Sequence, residues 1–147
     1  MYYIDTSVLA AYYCPEALSE QVQDFLSEQT KPAVSNLAEL ELFSAVARKV
    51  RMGELSQPDG SRILSKYLSH MDAGLFSIIP VEFHHWQLAR GWISLFSTPL
   101  RTLDALHLAI VSVGDFELVT SDRRLIQAAD ILGVNVLAIS VDEDPVR

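Results

Sequence analysis

Short apolar runs at residues 2–4, 32–35, 76–81, 117–120 and 135–140 alternate with longer stretches of helical spacing, and this alternation constrains the fold more than any other feature. Helical patterns cover 6–13, 17–28, 37–52, 61–71, 83–96, 103–113 and 123–132, with Pro15, Gly53, Pro99, Gly114 and Gly133 as stop signals. A helix between successive strands is long enough to carry the chain back to the same sheet end. The pattern therefore predicts an α/β fold with a central, mostly parallel β-sheet flanked by helices. No repeat, low-complexity tract or linker interrupts it, so residues 1–147 read as one domain. Half of the residues are hydrophobic, enough for a continuous core without covalent staples.

The lone Cys14 excludes an internal disulfide and fits a reducing, cytoplasmic setting, where it reads as an inert apolar residue. MYYIDTSVL has no basic stretch ahead of an apolar one, and no apolar run approaches the roughly 18 residues of a membrane span. Neither export nor membrane insertion is expected. Eleven Lys and Arg against nineteen Asp and Glu give a formal charge of −8, which by itself argues against a nucleic-acid binder. Two features answer that objection. Part of the acidity can belong to a metal site, and the cations are grouped, as in Arg48, Lys49 and Arg51 or Arg123 and Arg124. Such groups are more often an ordinary solvated helix face.

Three aspartates occupy the same kind of position. Asp5 and Asp122 each follow a strand and precede a helix, and Asp104 lies in the first turn of its helix. Helix capping explains any one of them, because a carboxylate there accepts free N–H groups and meets the positive end of the dipole. Their coincidence points elsewhere, since the carboxyl ends of parallel strands form one edge, where ligands bind. Glu41 shares a helix face with Leu37, Ser44, Ala45 and Arg48 and so lies against an apolar stripe. Glu39, about 160° away around the helix, reads as the solvent-facing glutamate. Two unit charges 4 Å apart repel by roughly 4 kcal/mol at an effective dielectric near 20. A hard divalent cation offsets that repulsion, and without a Cys/His spacing pattern the expected metal is Mg2+ or Mn2+ rather than structural zinc.

Four strings, YYIDTSVL, SNLAELELFSAVARK, LRTLDALHLA and LVTSDRRLIQAADILGV, occur in this order along the chain. Together they resemble the PIN-domain family, and most closely its bacterial VapC-type toxin branch. The resemblance implies a PIN-like α/β/α fold, divalent metal, and endonucleolytic RNA cleavage leaving a 3′-hydroxyl and a 5′-phosphate. It also implies a homodimer and a cognate VapB-like antitoxin. Carried over by motif, Asp5 and Asp104 are the central metal ligands, Glu41 is the helix-borne acid, and Asp122 is the fourth member, ligating directly or through water. Thr6 and Ser7 match a hydroxyl-bearing stretch after the first acid, and Thr120 or Ser121 places another hydroxyl nearby. Glu39 replaces Glu41 only if the second motif shifts by two residues, and the SAVARK continuation favours Glu41.

His107, one turn past Asp104 in an apolar helix, reads as a structural histidine, although an acid–base role would need only hydrogen-bond reach to the site. His84 and His85, beside Trp86, read as surface or interface residues. A covalent phosphatase is disfavoured because DTSVL carries Ser7 where such enzymes have a second acid. No glycine-rich phosphate loop is present. A receiver domain would need a late lysine after its fifth strand, and the sequence has none there. The alternatives that remain are a catalytically silent PIN-like module that binds RNA or protein, and a non-toxin RNA-processing nuclease.

Overall fold

The computed structural model describes residues 1–140. Its elements are β1 (Tyr2–Ile4), α1 (Thr6–Tyr13), α2 (Ser19–Ser27), β2 (Ala33–Ser35), α3 (Asn36–Arg51), α4 (Gln57–Asp72), β3 (Ser77–Ile79), α5 (Phe83–Ile93), α6 (Thr102–Gly114), β4 (Glu117–Thr120), α7 (Arg123–Leu132) and β5 (Val136–Ala138). The strands form one sheet in the order β3-β2-β1-β4-β5, and every pairing is parallel. The expected α/β architecture is therefore observed. The strand order runs outward from β1 in both directions, so the chain changes direction between β1 and β4. In an open sheet that switch leaves a crevice at the carboxyl ends of those two strands.

Side-chain alternation along each strand builds two cores. Tyr3, Ala33 and Leu118 point to one face and pack with Leu108 and Val111 of α6 and Leu125 of α7. The next residues along, Ile4, Val34 and Val119, point to the other face and meet Val8 of α1, Leu42 of α3 and Tyr67 of α4. Each fully buried aliphatic side chain contributes about 1.5–3 kcal/mol relative to exposure, so the two faces together hold the sheet between its helices. A smaller cluster of Ala89, Ala105, Leu106 and Ala109 lets α5 lie close to α6. No helix among the described residues is long and apolar enough to cross a membrane.

Some boundaries differ from the sequence pattern for local reasons. Helix α4 starts at Gln57 rather than at 61, because the Ser56 side chain accepts from Asp59 N–H and Pro58 suits the first turn. Gly60 lies inside that helix, where a Cβ would stand 2.7 Å from a Val50 methyl, so its small size serves the packing of α3 on α4. Helix α5 ends at Ile93, well before Pro99, and Phe96 turns the chain with φ 56°. At the end of α6 the left-handed position falls to Asp115, with φ 51°, rather than to Gly114.

Gly114 serves close approach instead, since a Cβ built there meets the Phe116 ring at 2.1 Å. Phe116 packs against the core under α6, so the ring cannot simply swing into water. Gly114→Ala gains helix propensity of at most about 1 kcal/mol, against an overpacking cost of about 1–3 kcal/mol. Net destabilisation in urea unfolding is the expected outcome, and an unchanged or raised midpoint would show that the ring yields freely.

Candidate metal-binding site

Asp5 is the residue at which β1 stops and α1 begins. It is 4% exposed, and its Oδ1 accepts from Val8 N–H at 3.1 Å and from the Ser7 hydroxyl at 2.6 Å. Its Oδ2 accepts from the Thr120 hydroxyl at 2.5 Å. Burial pushes the Asp5 carboxyl above the usual carboxylate range, and the donors from Ser7 and Thr120 offset only part of that rise.

Asp122 holds the equivalent position after β4. Its Oδ1 accepts from Arg124 N–H at 2.9 Å and Leu125 N–H at 3.4 Å, capping α7. The two strand ends are stitched together by hydroxyls. Ser7 Oγ accepts from Ser121 N–H at 3.1 Å, and Thr120 Oγ1 accepts from Asp122 N–H at 3.0 Å while donating to Asp5. Of the two hydroxyls considered at the end of β4, it is thus Thr120 that touches Asp5, whereas Ser121 joins through its backbone. Thr6 donates to Glu41 Oε1 at 3.0 Å.

Glu41 reaches the same rim from α3. Burial alone would raise its pKa, but hydrogen bonding and charge from His107, with help from Thr6, bring it below the usual range. His107 is buried, with Nε2 2.5 Å from Glu41 Oε1 and Nδ1 2.7 Å from the Tyr3 hydroxyl. The Tyr3 hydroxyl lies 2.7 Å from Ser35 Oγ. His107 Nε2 donates to the Glu41 carboxylate, its Nδ1 meets the Tyr3 hydroxyl on the other side of the ring, and that hydroxyl in turn meets Ser35. His107 is thus buried, as a structural histidine would be, and it also has hydrogen-bond reach to the site through Glu41, which it orients.

Asp104 stands apart. It lies in the first turn of α6, but Arg101 occupies the cap position and makes no side-chain capping bond. The hydrogen bonds and ion pairs of the site engage Asp5, Glu41 and Asp122; among the described residues none engages the Asp104 carboxylate. Burial raises its pKa and the charge of Asp122 raises it further, with a smaller push from Glu41, while His107 and Arg101 act in the opposite sense. Capping thus accounts for hydrogen bonds at Asp5 and Asp122 and for none at Asp104.

The four acids share one rim of the sheet, yet among the described residues no three such side chains meet as a ready-made ligand cluster. Asp5, Glu41 and Asp122 are each held by protein donors. The donor chemistry still suits a hard cation, because the rim offers carboxylate oxygens and one of them, on half-buried Asp104, lacks a compensating donor.

Two sequence expectations are corrected. Glu39 is not the plain solvent glutamate: it is partly buried, and its Oε2 accepts from the buried Tyr67 hydroxyl at 2.7 Å, because α4 packs across that face of α3. His85 is not a surface residue: it is 4% exposed, and its Nδ1 accepts from Glu82 N–H at 2.9 Å at the start of α5. His84 and Trp86 are exposed as expected.

The PIN domain family matches residues 2–131. This chain belongs to the PIN-domain family. No curated protein sequence matches it. Among solved structures, this PIN domain is similar to VapC20 of Mycobacterium tuberculosis, described as a sarcin-ricin loop cleaving toxin, at 15% identity and TM-score 0.70 over 87% of this chain and 95% of that one. It is similar to FitAcB from Neisseria gonorrhoeae at 21% identity and TM-score 0.69, covering 93% of this chain and 96% of that one. It is also similar to VapBC2 from Rickettsia felis, bound to a DNA fragment from its promoter, at 15% identity and TM-score 0.68 over 95% and 98% of the two chains. At these identities the likeness shows a shared fold.

The Tyr3–His107–Glu41 relay was not legible as a unit, because its members are 104 and 66 residues apart in pairs. The one signal was a histidine on a helix otherwise too apolar for it. His107→Leu keeps the volume but removes a donor from a partly buried carboxylate, and should cost about 1–3 kcal/mol in denaturant unfolding. Tyr3→Phe leaves His107 bound to Glu41 and should cost about 0.5–1.5 kcal/mol. A neutral or stabilising His107→Leu would reduce the histidine to packing.

Proposed function

We propose that this PIN domain, spanning residues 1–147 as a single unit, is a Mg2+- or Mn2+-dependent endoribonuclease and the toxin of a toxin–antitoxin pair. The observation that supports the proposal is that Asp5 and Asp122 stand at the carboxyl ends of the neighbouring strands β1 and β4, with Glu41 bonded to Thr6 beside Asp5 and half-buried Asp104 lacking a donor among the described residues. Asp5 and Asp104 are the central ligands in this reading, with Glu41 and Asp122 completing the set directly or through water. A divalent cation bound there supplies Lewis-acid stabilisation of the charge that builds on a phosphodiester and eases deprotonation of the attacking water.

The chain's own residues do the positioning. Ser7 and Thr120 fix both oxygens of Asp5, His107 and Thr6 fix Glu41, and the first N–H groups of α7 fix Asp122. Acids held this way do not reorganise when substrate arrives, which is where preorganised sites gain rate. The toxin assignment draws support from the family and from structural neighbours described as toxins or as toxin–antitoxin complexes. A homodimer, a cognate VapB-like antitoxin and action in the cytoplasm belong to the same reading. An antitoxin that offers Arg or Lys to the rim suits a surface of net charge −8, with an association rate that falls as salt rises.

Purified protein incubated with RNA should cut in Mg2+ or Mn2+ and not in EDTA, and Asp5→Asn should lower the rate by roughly 10²–10³-fold. Cleavage that survives EDTA contradicts the mechanism. A stability test addresses Asp104 separately. Its pKa is raised in the fold, so ionisation at neutral pH costs stability that Asp104→Asn does not incur. In EDTA the variant should be as stable as the parent or more so, while Mg2+ should raise the melting temperature of the parent more than that of the variant. Were Asp104 only a partner of the helix dipole, Asn would cost about 0.3–1 kcal/mol with or without metal.

A further inference from the structure

Cations flank the acidic rim on two sides. On the α3 side, a cavity of about 510 Å3 begins at Thr6, Glu41 and Leu103 and runs to Arg48 and Lys49. Arg48 lies seven residues past Glu41, about two helical turns or roughly 10 Å along the axis of α3. The two cations differ. Lys49 is shared between Glu16 at 3.8 Å and Glu54 at 3.5 Å, whereas exposed Arg48 has no acidic partner among the described residues.

The α6–α7 side holds a second cavity of about 410 Å3, with Arg101 and Arg124 in its wall. Both arginines border the rim. Arg101 precedes α6 and is close enough to Asp104 to lower its pKa, while the backbone N–H of Arg124 donates to Asp122 at 2.9 Å. Cation, acid and cation thus follow one another across the carboxyl edge of the sheet, on a chain whose other charge is mostly negative.

We infer that these two cavities form one track for an RNA strand crossing the rim, with Arg48 holding a backbone phosphate on one side of the scissile bond and Arg101 and Arg124 holding phosphates on the other. The inference rests on the ribonuclease reading above and extends it to the residues that hold the strand. A strand held on both sides of the cut is cleaved internally, and an end that fills only one cavity is a poorer substrate. Arginine suits this task, because its planar fork meets phosphate oxygens in pairs and its charge persists at every working pH. The contacts are to the backbone, so they position the strand and carry no base preference.

The test combines binding and trimming. In EDTA, a fluorescent single-stranded RNA is titrated across about 50 to 200 mM salt. Arg48→Ala and Arg124→Ala should each weaken binding and each lower the slope of log K against log salt by about 0.7. Arg62→Ala, which removes an exposed cation already paired with Asp59 on α4, should leave that slope unchanged. In Mg2+, substrates shortened from one end or the other towards the cut should show a raised KM with the parent protein. The penalty at one end should vanish in Arg48→Ala and the penalty at the opposite end in Arg124→Ala, as expected when each arginine meets only one flank.

Slopes equal to the parent's in both arginine variants, or trimming penalties that persist in both, overturn the track while leaving the nuclease intact. The track is likewise overturned if Arg48→Ala spares RNA binding and instead abolishes capture of an acidic protein partner. A parent protein that neither binds nor cuts RNA overturns the ribonuclease reading itself, and the track with it.

Discussion

Strand β1 is paired on both sides, with β2 along one edge and β4 along the other, and the placement of the site follows from that double pairing. A three-residue strand has few backbone bonds of its own, so burial on both faces must hold it. Tyr3 and Ile4 are fully buried in opposite directions and anchor the two cores. Where β1 ends the chain must turn into α1, and the residue that makes the turn is Asp5. Its carboxylate stays ionisable in a buried place because hydroxyls of Ser7 and Thr120 and the N–H of Val8 surround it. Without them, burial of an isolated charge would be far more costly.

The acids around Asp5 are not equivalent, and the difference is one of partners rather than residue type. Glu41 is drawn below the ordinary range by His107, whereas Asp5 and Asp104 are raised by burial. Opposed shifts within one small rim are common where chemistry is done, although structural networks produce them too. Here the structural network and the site are the same object. Tyr3 belongs to the core, His107 to the underside of α6, and Glu41 to the rim, so the packing of the sheet is transmitted to the orientation of a carboxylate.

Much of the fold was legible because the strands are short apolar runs and the helices carry strong stops. The errors were local. The helix expected from residue 61 starts at Gln57, and Gly60 is a helical residue whose small size admits Val50. His85 looked exposed although it folds back on the start of its own helix, three residues away at Glu82, and Glu39 looked solvated because its partner is Tyr67 of α4. Periodicity reports which face of a helix is apolar, but not which polar residue on its edge a neighbouring helix will cover.

The sequence by itself determined that strands would alternate with helices, that the sheet would be parallel, and that Asp5 and Asp122 would stand where strands end, because these depend on local spacing and on the chirality of the chain. The order β3-β2-β1-β4-β5 was decided only in three dimensions, and with it the neighbourhood of Asp5 and Thr120, 115 residues apart. So were the relay from Tyr3 to Glu41 and the absence of a donor to Asp104 among the described residues. The physical reason is the same for all of them. Hydrogen bonds and charge interactions fall off within a few ångströms, so their partners are chosen by packing, and packing is a property of the whole sheet rather than of any segment that enters it.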